Sequence, residues 1–309
     1  MRVIITGGTG LIGSALGAML LRQGHSVVIL SRTAPPPPTR HASEAPLLAR
    51  VGWDGRTSAG WGTLITRDTA IVNLAGASPA HWRWTPAYRQ RILTSRLSAG
   101  RAVTEACARY GPPLRVIQAS ASGYYGDRGD EMLTEASAAG QGFRALVCQQ
   151  WEAATAAVTV SCCVIRTGIV LANQAGAFPL LWRFAHLAGH HLGSGAQWVP
   201  WVHIADVATA ISFLLTQTEI VGPVNLCAPA PTRNRPFIQA LQRLGGPPGI
   251  VPLPTFALRL ALGEMASAVL DSERMLPQRL LAAGFTFQYP DLPAALLALQ
   301  EAAHSANRS

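Results

Sequence analysis

The 309-residue chain contains no lysine, so all 25 of its basic side chains are arginine. A lysine Schiff base is excluded, and so is any step in which an ammonium passes its proton, because a guanidinium does not deprotonate in proteins. Cysteine is sparse as well: Cys107, Cys148, Cys162, Cys163 and Cys227 are odd in number and form no CxxC pair. That pattern indicates neither a disulfide framework nor a zinc site and predicts reduced core thiols. Charged residues make up only 13% of the chain against 49% hydrophobic ones, which excludes extensive disorder. No uninterrupted apolar run reaches the roughly 18 residues that a bilayer span needs. Met1-Arg2-Val3 enters a core strand at once, leaving no room for a signal peptide, so no membrane partner is expected and a cytoplasmic location is.

The formal charge of +9 raises the question of nucleic acid. The arginines are scattered, however, and the densest group, Arg83, Arg89, Arg91, Arg96 and Arg101, alternates with apolar residues on one amphipathic helix. It reads as a solvated helix face, with a basic rim around an anionic cofactor as the alternative, and no nucleic-acid partner is expected.

What the chain does have begins at its fifth residue. Ile5-Thr6-Gly7-Gly8-Thr9-Gly10-Leu11-Ile12-Gly13 follows the apolar run Val3-Ile4-Ile5 and precedes a segment with apolar residues at helical spacing. Gly7, Gly10 and Gly13 suit a tight turn, a close approach of pyrophosphate to the backbone, and close packing of helix on sheet. The helix start adds free amides and a positive dipole end, with Leu11 and Ile12 in its first turn. The next strand, 26–30, ends in Ser31-Arg32, where an NAD-binding chain would place a carboxylate for the ribose 2'-hydroxyl about 20 residues past the glycines. A guanidinium beside a hydroxyl suits a 2'-phosphate instead, which points to NADP; a solvated surface charge is the alternative for Arg32.

Strand signals at 2–6, 26–30, 70–75, 114–119, 160–165 and 223–227 alternate with helical ones. They predict an α/β, Rossmann-type, doubly wound parallel sheet. Leu74-Ala75-Gly76 closes a buried strand with small residues, over which a cofactor can cross the carboxyl edge of the sheet. Residues 33–60, with Pro35-Pro36-Pro37-Pro38, read as a surface loop. Beyond about residue 229, prolines punctuate short helical stretches and no further sheet strand is evident. The predicted organisation is an NADP-binding domain over 1–228, with a substrate-lobe insertion near 174–200, and a smaller, mainly helical C-terminal domain over 229–303 on the substrate side. The glycines at 189–195 suggest a flap.

Several motifs together carry a resemblance. They are Thr6-Gly7-Gly8-Thr9-Gly10, Asn73-Leu74-Ala75-Gly76, Arg83-Trp84-Thr85-Pro86, Ser120-Ala121-Ser122-Gly123-Tyr124-Tyr125-Gly126, Trp151-Glu152-Ala153-Ala154, Arg166-Thr167-Gly168, Pro200-Trp201-Val202-His203-Ile204-Ala205-Asp206 and Asn225-Leu226-Cys227-Ala228-Pro229. The chain resembles the extended and atypical short-chain dehydrogenase/reductase superfamily. More narrowly, it is similar to the epimerase-family proteins related to the human 39U member, with their bacterial branch labelled as cell-division-inhibitor-like nucleotide-sugar epimerases. The tail from Pro252 to Phe285 resembles that subfamily's small C-terminal domain. The resemblance implies NADP bound by Ser31 and Arg32 at its 2'-phosphate, with Leu74, Ala75 and Gly76 along the adenine and ribose path and Arg83 near the phosphates. It also implies that His203 and Asp206 seat the two lobes on each other.

The superfamily's Tyr-x-x-x-Lys pair is missing: Phe143 to Glu152 contains neither residue, and Arg144 and Cys148 stand near the vacated positions. Ser120 (or Ser122) and Tyr124 or Tyr125 remain, just past the strand ending at 119. An ordinary phenol, with a pKa of about 10, is protonated at neutral pH and can give a proton to a carbonyl that receives hydride. Packing of the turn is the alternative role for both tyrosines. Glu152 is expected to face Arg166 structurally, and His190-His191 has no carboxylate at metal-ligand spacing. Two functions follow: an NADP(H)-dependent oxidoreductase or epimerase acting on a small carbonyl or sugar-nucleotide-like substrate, or an inactive NADP(H) sensor. The sequence leaves the oligomeric state open.

Overall fold

Val3, Ile4 and Ile5 are completely buried in the strand Arg2–Thr6 (β1), as a central parallel strand covered on both faces requires. The protein is described here as a computed structural model covering residues 1–33, 47–80, 83–173, 176–244 and 251–306. Six parallel strands join β1: Ser26–Ser31 (β2), Leu48–Gly52 (β3), Thr69–Asn73 (β4), Arg115–Ala121 (β5), Cys162–Thr167 (β6) and Gly222–Leu226 (β7). Their spatial order is β7-β6-β5-β4-β1-β2-β3. The chain therefore winds outward in both directions from the β1/β4 boundary, and the crevice at the carboxyl ends of those strands is where such sheets take ligands.

The alternation of β1 divides two cores. Val3 and Ile5 pack with Leu16 and Leu20 of helix Leu11–Arg22 (α1), while Ile4 packs with Ala99, Ala102, Val103 and Ala106 of helix Pro86–Tyr110 (α2) on the opposite face. Helix α2 starts cleanly because the Thr85 side chain accepts a hydrogen bond from Tyr88 N at 3.2 Å and proline occupies the first turn. Helix Gly142–Ala153 (α3) runs beside β5, and helix Ile204–Thr216 (α5) lies with α1 on the first face.

A third core belongs to the remainder of the chain. Phe178, Leu181 and Phe184 of helix Phe178–Leu187 (α4) pack with Phe237, Ile238 and Leu241 of helix Asn234–Arg243, Leu258 and Leu262 of helix Thr255–Leu262, and Leu296 and Leu299 of helix Leu292–Ala306. The 174–200 insertion thus shares one hydrophobic core with the chain beyond 229. No helix among the described residues is long and apolar enough to cross a membrane.

Three expectations need correction. Residues 33–60 are not all loop, since Leu48–Gly52 forms the outer strand of the sheet. Only Val51 of that strand is fully buried, so an edge strand with one neighbour gives little alternation to read. The Pro35–Pro38 run lies outside the described residues. The glycine-rich 189–195 segment is not a free flap: Ala188–Leu192 pairs in parallel with Val251–Leu253, and Gly193 N donates to Leu253 O at 3.0 Å. Nor is Arg96 on a solvated face, being 8% exposed and covering Trp151.

Candidate functional site

The turn between β1 and α1 is held from below by side chains of the sheet. Thr6 Oγ1 donates to Asn73 Oδ1 at 2.5 Å and accepts from Leu74 N and Ala75 N, and Asn73 Nδ2 donates to Gln118 Oε1 at 2.8 Å. This buried polar chain crosses three strands and brings Leu74-Ala75 against the glycine turn. Gly7 adopts φ +67°, and a side chain there would begin 2.9 Å from Leu74 O. A side chain on Gly13 would begin 2.5 Å from Gly7 O. Both positions therefore accept only glycine without movement of the backbone.

Helix α1 has glycine as its N-cap residue, no side-chain capping bond and no acidic residue in its first turn. Its leading amides and positive dipole end are thus left for an external anion, and Thr9 and Gly10 are exposed while Leu11 and Ile12 are half-buried. The structure brings Ser31 and Arg32 to the carboxyl end of the neighbouring β2, with Arg32 exposed and in no ion pair among the described residues. Asp54, just past β3, is the acid at this edge that sequence reading passed over. Its carboxylate is turned onto its own loop, accepting from Arg56 N, Thr57 N and Thr57 Oγ1 at 2.8–2.9 Å. These residues fit a phosphorylated dinucleotide: the uncapped start of α1 and the exposed Arg32 stand at this edge, and Asp54, the nearby carboxylate among the described residues, is already engaged. Arg83, which the resemblance puts near the phosphates, is exposed, and its Nε is 3.7 Å from where a side chain on Gly263 would begin.

At the carboxyl end of β5 the structure joins the other predicted residues into one network. Ser120 Oγ donates to Glu152 Oε1 at 2.7 Å, and Arg166 grips both Glu152 oxygens, with Nε and Nη2 each at 2.9 Å. That fork is the strong bidentate form of the pair. Tyr125 is fully buried; its hydroxyl accepts from Arg166 Nη1 at 3.1 Å and lies 2.7 Å from Asn225 Oδ1 and 3.0 Å from Thr134 O. Burial pushes its pKa up to about 12. Tyr124 differs: it is half-buried, its ring lies 3.3 Å below the Arg166 guanidinium, and no described residue hydrogen-bonds its hydroxyl.

Helix α3 presents Arg144, Cys148 and Glu152 at successive four-residue steps, so they share one face toward β5. Burial pushes the Cys148 thiol up to about 11, and its Sγ lies 3.6 Å from Ala121 O. Arg144 Nη1 lies 2.7 Å from Glu273 Oε1 and 3.1 Å from Asp271 Oδ2. Arg144, Asp271 and Glu273, with Ser122, Trp198 and Asn234, line a narrow cleft between the sheet edge and the C-terminal segment. Burial raises Asp271 to about 6, with Glu273 adding to it and Arg144 opposing. Sequence reading missed the two carboxylates, which stand more than a hundred residues from their partner. His203 and Asp206 serve structure. His203 caps α5 through Ala205 N at 3.2 Å, and Asp206 accepts from Gln288 N and Tyr289 N at 2.7 and 3.0 Å. No cluster of three or more metal-ligating side chains occurs among the described residues.

Sheet order, glycine turn and insertion define the class: a Rossmann-type α/β protein on the short-chain dehydrogenase/reductase plan, with a helical C-terminal region. Comparison with known proteins narrows it. Residues 3–227 match the NAD dependent epimerase/dehydratase family and residues 253–299 a domain of unknown function, DUF1731. The chain belongs to the NAD dependent epimerase/dehydratase family. It is 36% identical over 302 residues to the epimerase family protein YfhF of Bacillus subtilis, covering 96% of this chain and 97% of that one. Human epimerase family protein SDR39U1, solved with NADPH, superposes with a TM-score of 0.85 at 31% identity over 97% of this chain and 99% of that one. A nucleoside-diphosphate sugar epimerase of Corynebacterium glutamicum gives 0.75 at 32% identity, covering 96% of this chain and 57% of that one.

Proposed function

We propose that the chain binds NADP(H) across the carboxyl edge of β1, β2 and β4 and reduces a small carbonyl compound held in the cleft beside β5. The observation that carries the cofactor reading is the uncapped, acid-free start of α1 beside an exposed arginine at the end of β2. In this reading Gly7, Gly10, Leu11, Ile12 and Gly13 receive the pyrophosphate, Ser31 and Arg32 the 2'-phosphate, and Leu74, Ala75 and Gly76 the adenosine side. SDR39U1, similar along nearly its whole length and solved with NADPH, supports the phosphorylated cofactor. Arg83, lying against Gly263, is left as a residue of the lobe contact.

NADPH, when bound, supplies the hydride. The chain supplies position and a proton. Tyr124 is assigned as the proton donor, because the residue is half-buried and its hydroxyl has no partner among the described residues. Ser120 gives its own proton to Glu152, so it offers a substrate lone pairs and acts in positioning. Tyr125 braces the network through Asn225 and Arg166. A phenol that keeps its proton favours reduction over alcohol oxidation, with which an epimerisation through a ketone would begin. The second reading, an NADP(H) sensor without turnover, is favoured by α3: Arg144 cannot exchange protons and Cys148 is held protonated up to about 11. Following NADPH absorbance over a panel of ketones and aldehydes separates the two. Turnover abolished by Tyr124→Phe and kept by Tyr125→Phe supports the enzyme, whereas tight NADPH binding with no turnover on any member supports the sensor.

A further inference from the structure

The cleft beside β5 is closed as it stands. Its free space is about 20 Å³, room for one water, so no carbonyl compound fits it without movement. A second hollow, of about 540 Å³, borders it, formed by the turn into α3 at 140–142 together with Arg128, Glu264 and Ser267. Its size is that of a small-molecule site. Among the described residues, only Arg144 and Asp271 line both spaces. Where the two meet, the partition is therefore one ion pair, with Arg144 Nη1 3.1 Å from Asp271 Oδ2.

Parting that pair strands neither group. Arg144 Nη1 keeps Ser267 O at 3.2 Å and Glu273 Oε1 at 2.7 Å. Asp271 stands on the wall of the hollow with its side chain 21% exposed, so water can solvate the carboxyl once it turns outward. Burial, with Glu273 and Asp127 adding to it, pushes that carboxyl up to about 6 even beside the guanidinium, so the closed position costs Asp271 more than Arg144 returns. The backbone need not follow. Ser272, the next residue, is fixed by Arg128 N donating to its carbonyl at 3.0 Å and by its own N donating to Asp127 Oδ1 at 3.1 Å, which confines the motion to the two side chains.

We propose that the Arg144–Asp271 pair is a gate: shut, it seals the cleft, and open, it joins cleft and hollow into one site that admits the carbonyl substrate of the reduction proposed above, on which the identity of the passenger rests. Ser122 lines the cleft and not the hollow and is 4% exposed, so the thiol of a Ser122→Cys chain reports on passage through the gate. Its labelling in the full chain is followed with methyl methanethiosulfonate and with the bulkier benzyl reagent, the chain with Ser122 intact correcting for the native cysteines. The benzyl reagent is expected to react slowly, and about tenfold or more faster once Asp271→Asn or Arg144→Gln removes the pair, while the methyl reagent gains less. A change in thiol ionisation would alter both reagents alike and with opposite sign in the two variants, and that pattern overturns the proposal. An unchanged benzyl rate in either folded variant overturns it too, and each variant tests the gate by itself, so the loss of one to misfolding leaves the other decisive. Turnover plays no part in this readout. Faster benzyl labelling with no turnover on any carbonyl compound would overturn the reduction and leave the gate standing, and turnover with an unmoved labelling rate would do the reverse.

Discussion

Two adjacent tyrosines with the same chemistry receive opposite assignments because their surroundings differ. Tyr125 is buried with its hydroxyl among Asn225, Thr134 and Arg166, whereas Tyr124 lends its ring to Arg166 and keeps its hydroxyl free of described partners. Tyr125→Phe is therefore expected to lower unfolding free energy by about 1–3 kcal/mol, the penalty for leaving buried polar partners unmet. Chemical denaturation measures it. Tyr124→Phe should change stability by less and turnover by more, and the reverse pattern would contradict both assignments. The residue scale was legible in part. The Glu152–Arg166 pair could be read because both residues sit in recognisable motifs. The group formed by Arg144, Asp271 and Glu273 could not, since ion pairs across more than a hundred residues leave no local period in a sequence.

Elements were read best where burial is two-sided. Strand β1, with Val3, Ile4 and Ile5 all buried, announced itself, while the one-sided edge strand β3 did not. Arg96 was misread for a related reason: helical spacing places it on α2, but only tertiary packing shows that Trp151 and Gly76 cover that face. The turn into α1 makes a direct prediction. Gly13→Ala drives a methyl carbon to 2.5 Å from Gly7 O and 2.6 Å from Gly8 Cα, so a loss of about 1–3 kcal/mol is expected from overpacking, read from the denaturation midpoint. Unchanged stability would mean that the turn is looser than described.

Helix α5 makes a pH prediction. Burial holds His203 down at about 4, and its Nε2 has no hydrogen-bond partner among the described residues. As pH falls from about 6.5 to 4, the unfolded chain takes up a proton that the folded one refuses, so stability is lost through that window. Asp271, raised to about 6 by burial, acts with the opposite sign: the folded state keeps its proton more tightly, offsetting part of the loss. His203→Asn, which retains an acceptor for Ala205 N, removes only the first effect. The wild type should lose up to about 3 kcal/mol relative to this variant between pH 6.5 and 4, and parallel stability curves would refute the buried neutral histidine.

At the scale of the molecule, one sheet and one helical lobe enclose the cleft. Asp206 ties Gln288 and Tyr289 to the head of α5, and the 174–200 insertion shares its core with the helices beyond 229. The doubly wound order was legible because alternating strands and helices allow few parallel arrangements. The joining of insertion and tail into one core was not, because apolar residues say that they are buried and not by what. The account as a whole rests on a phosphorylated dinucleotide lying over the start of α1 with Arg32 at its 2'-phosphate. Calorimetric titration of NADPH and NADH into cofactor-stripped wild-type and Arg32→Ala protein tests it most directly. The account predicts tight NADPH binding, weaker NADH binding, and a loss of about 1.5–3 kcal/mol for NADPH alone on removing the guanidinium. Absence of NADPH binding to the wild type, or equal losses for both dinucleotides in the variant, would contradict it.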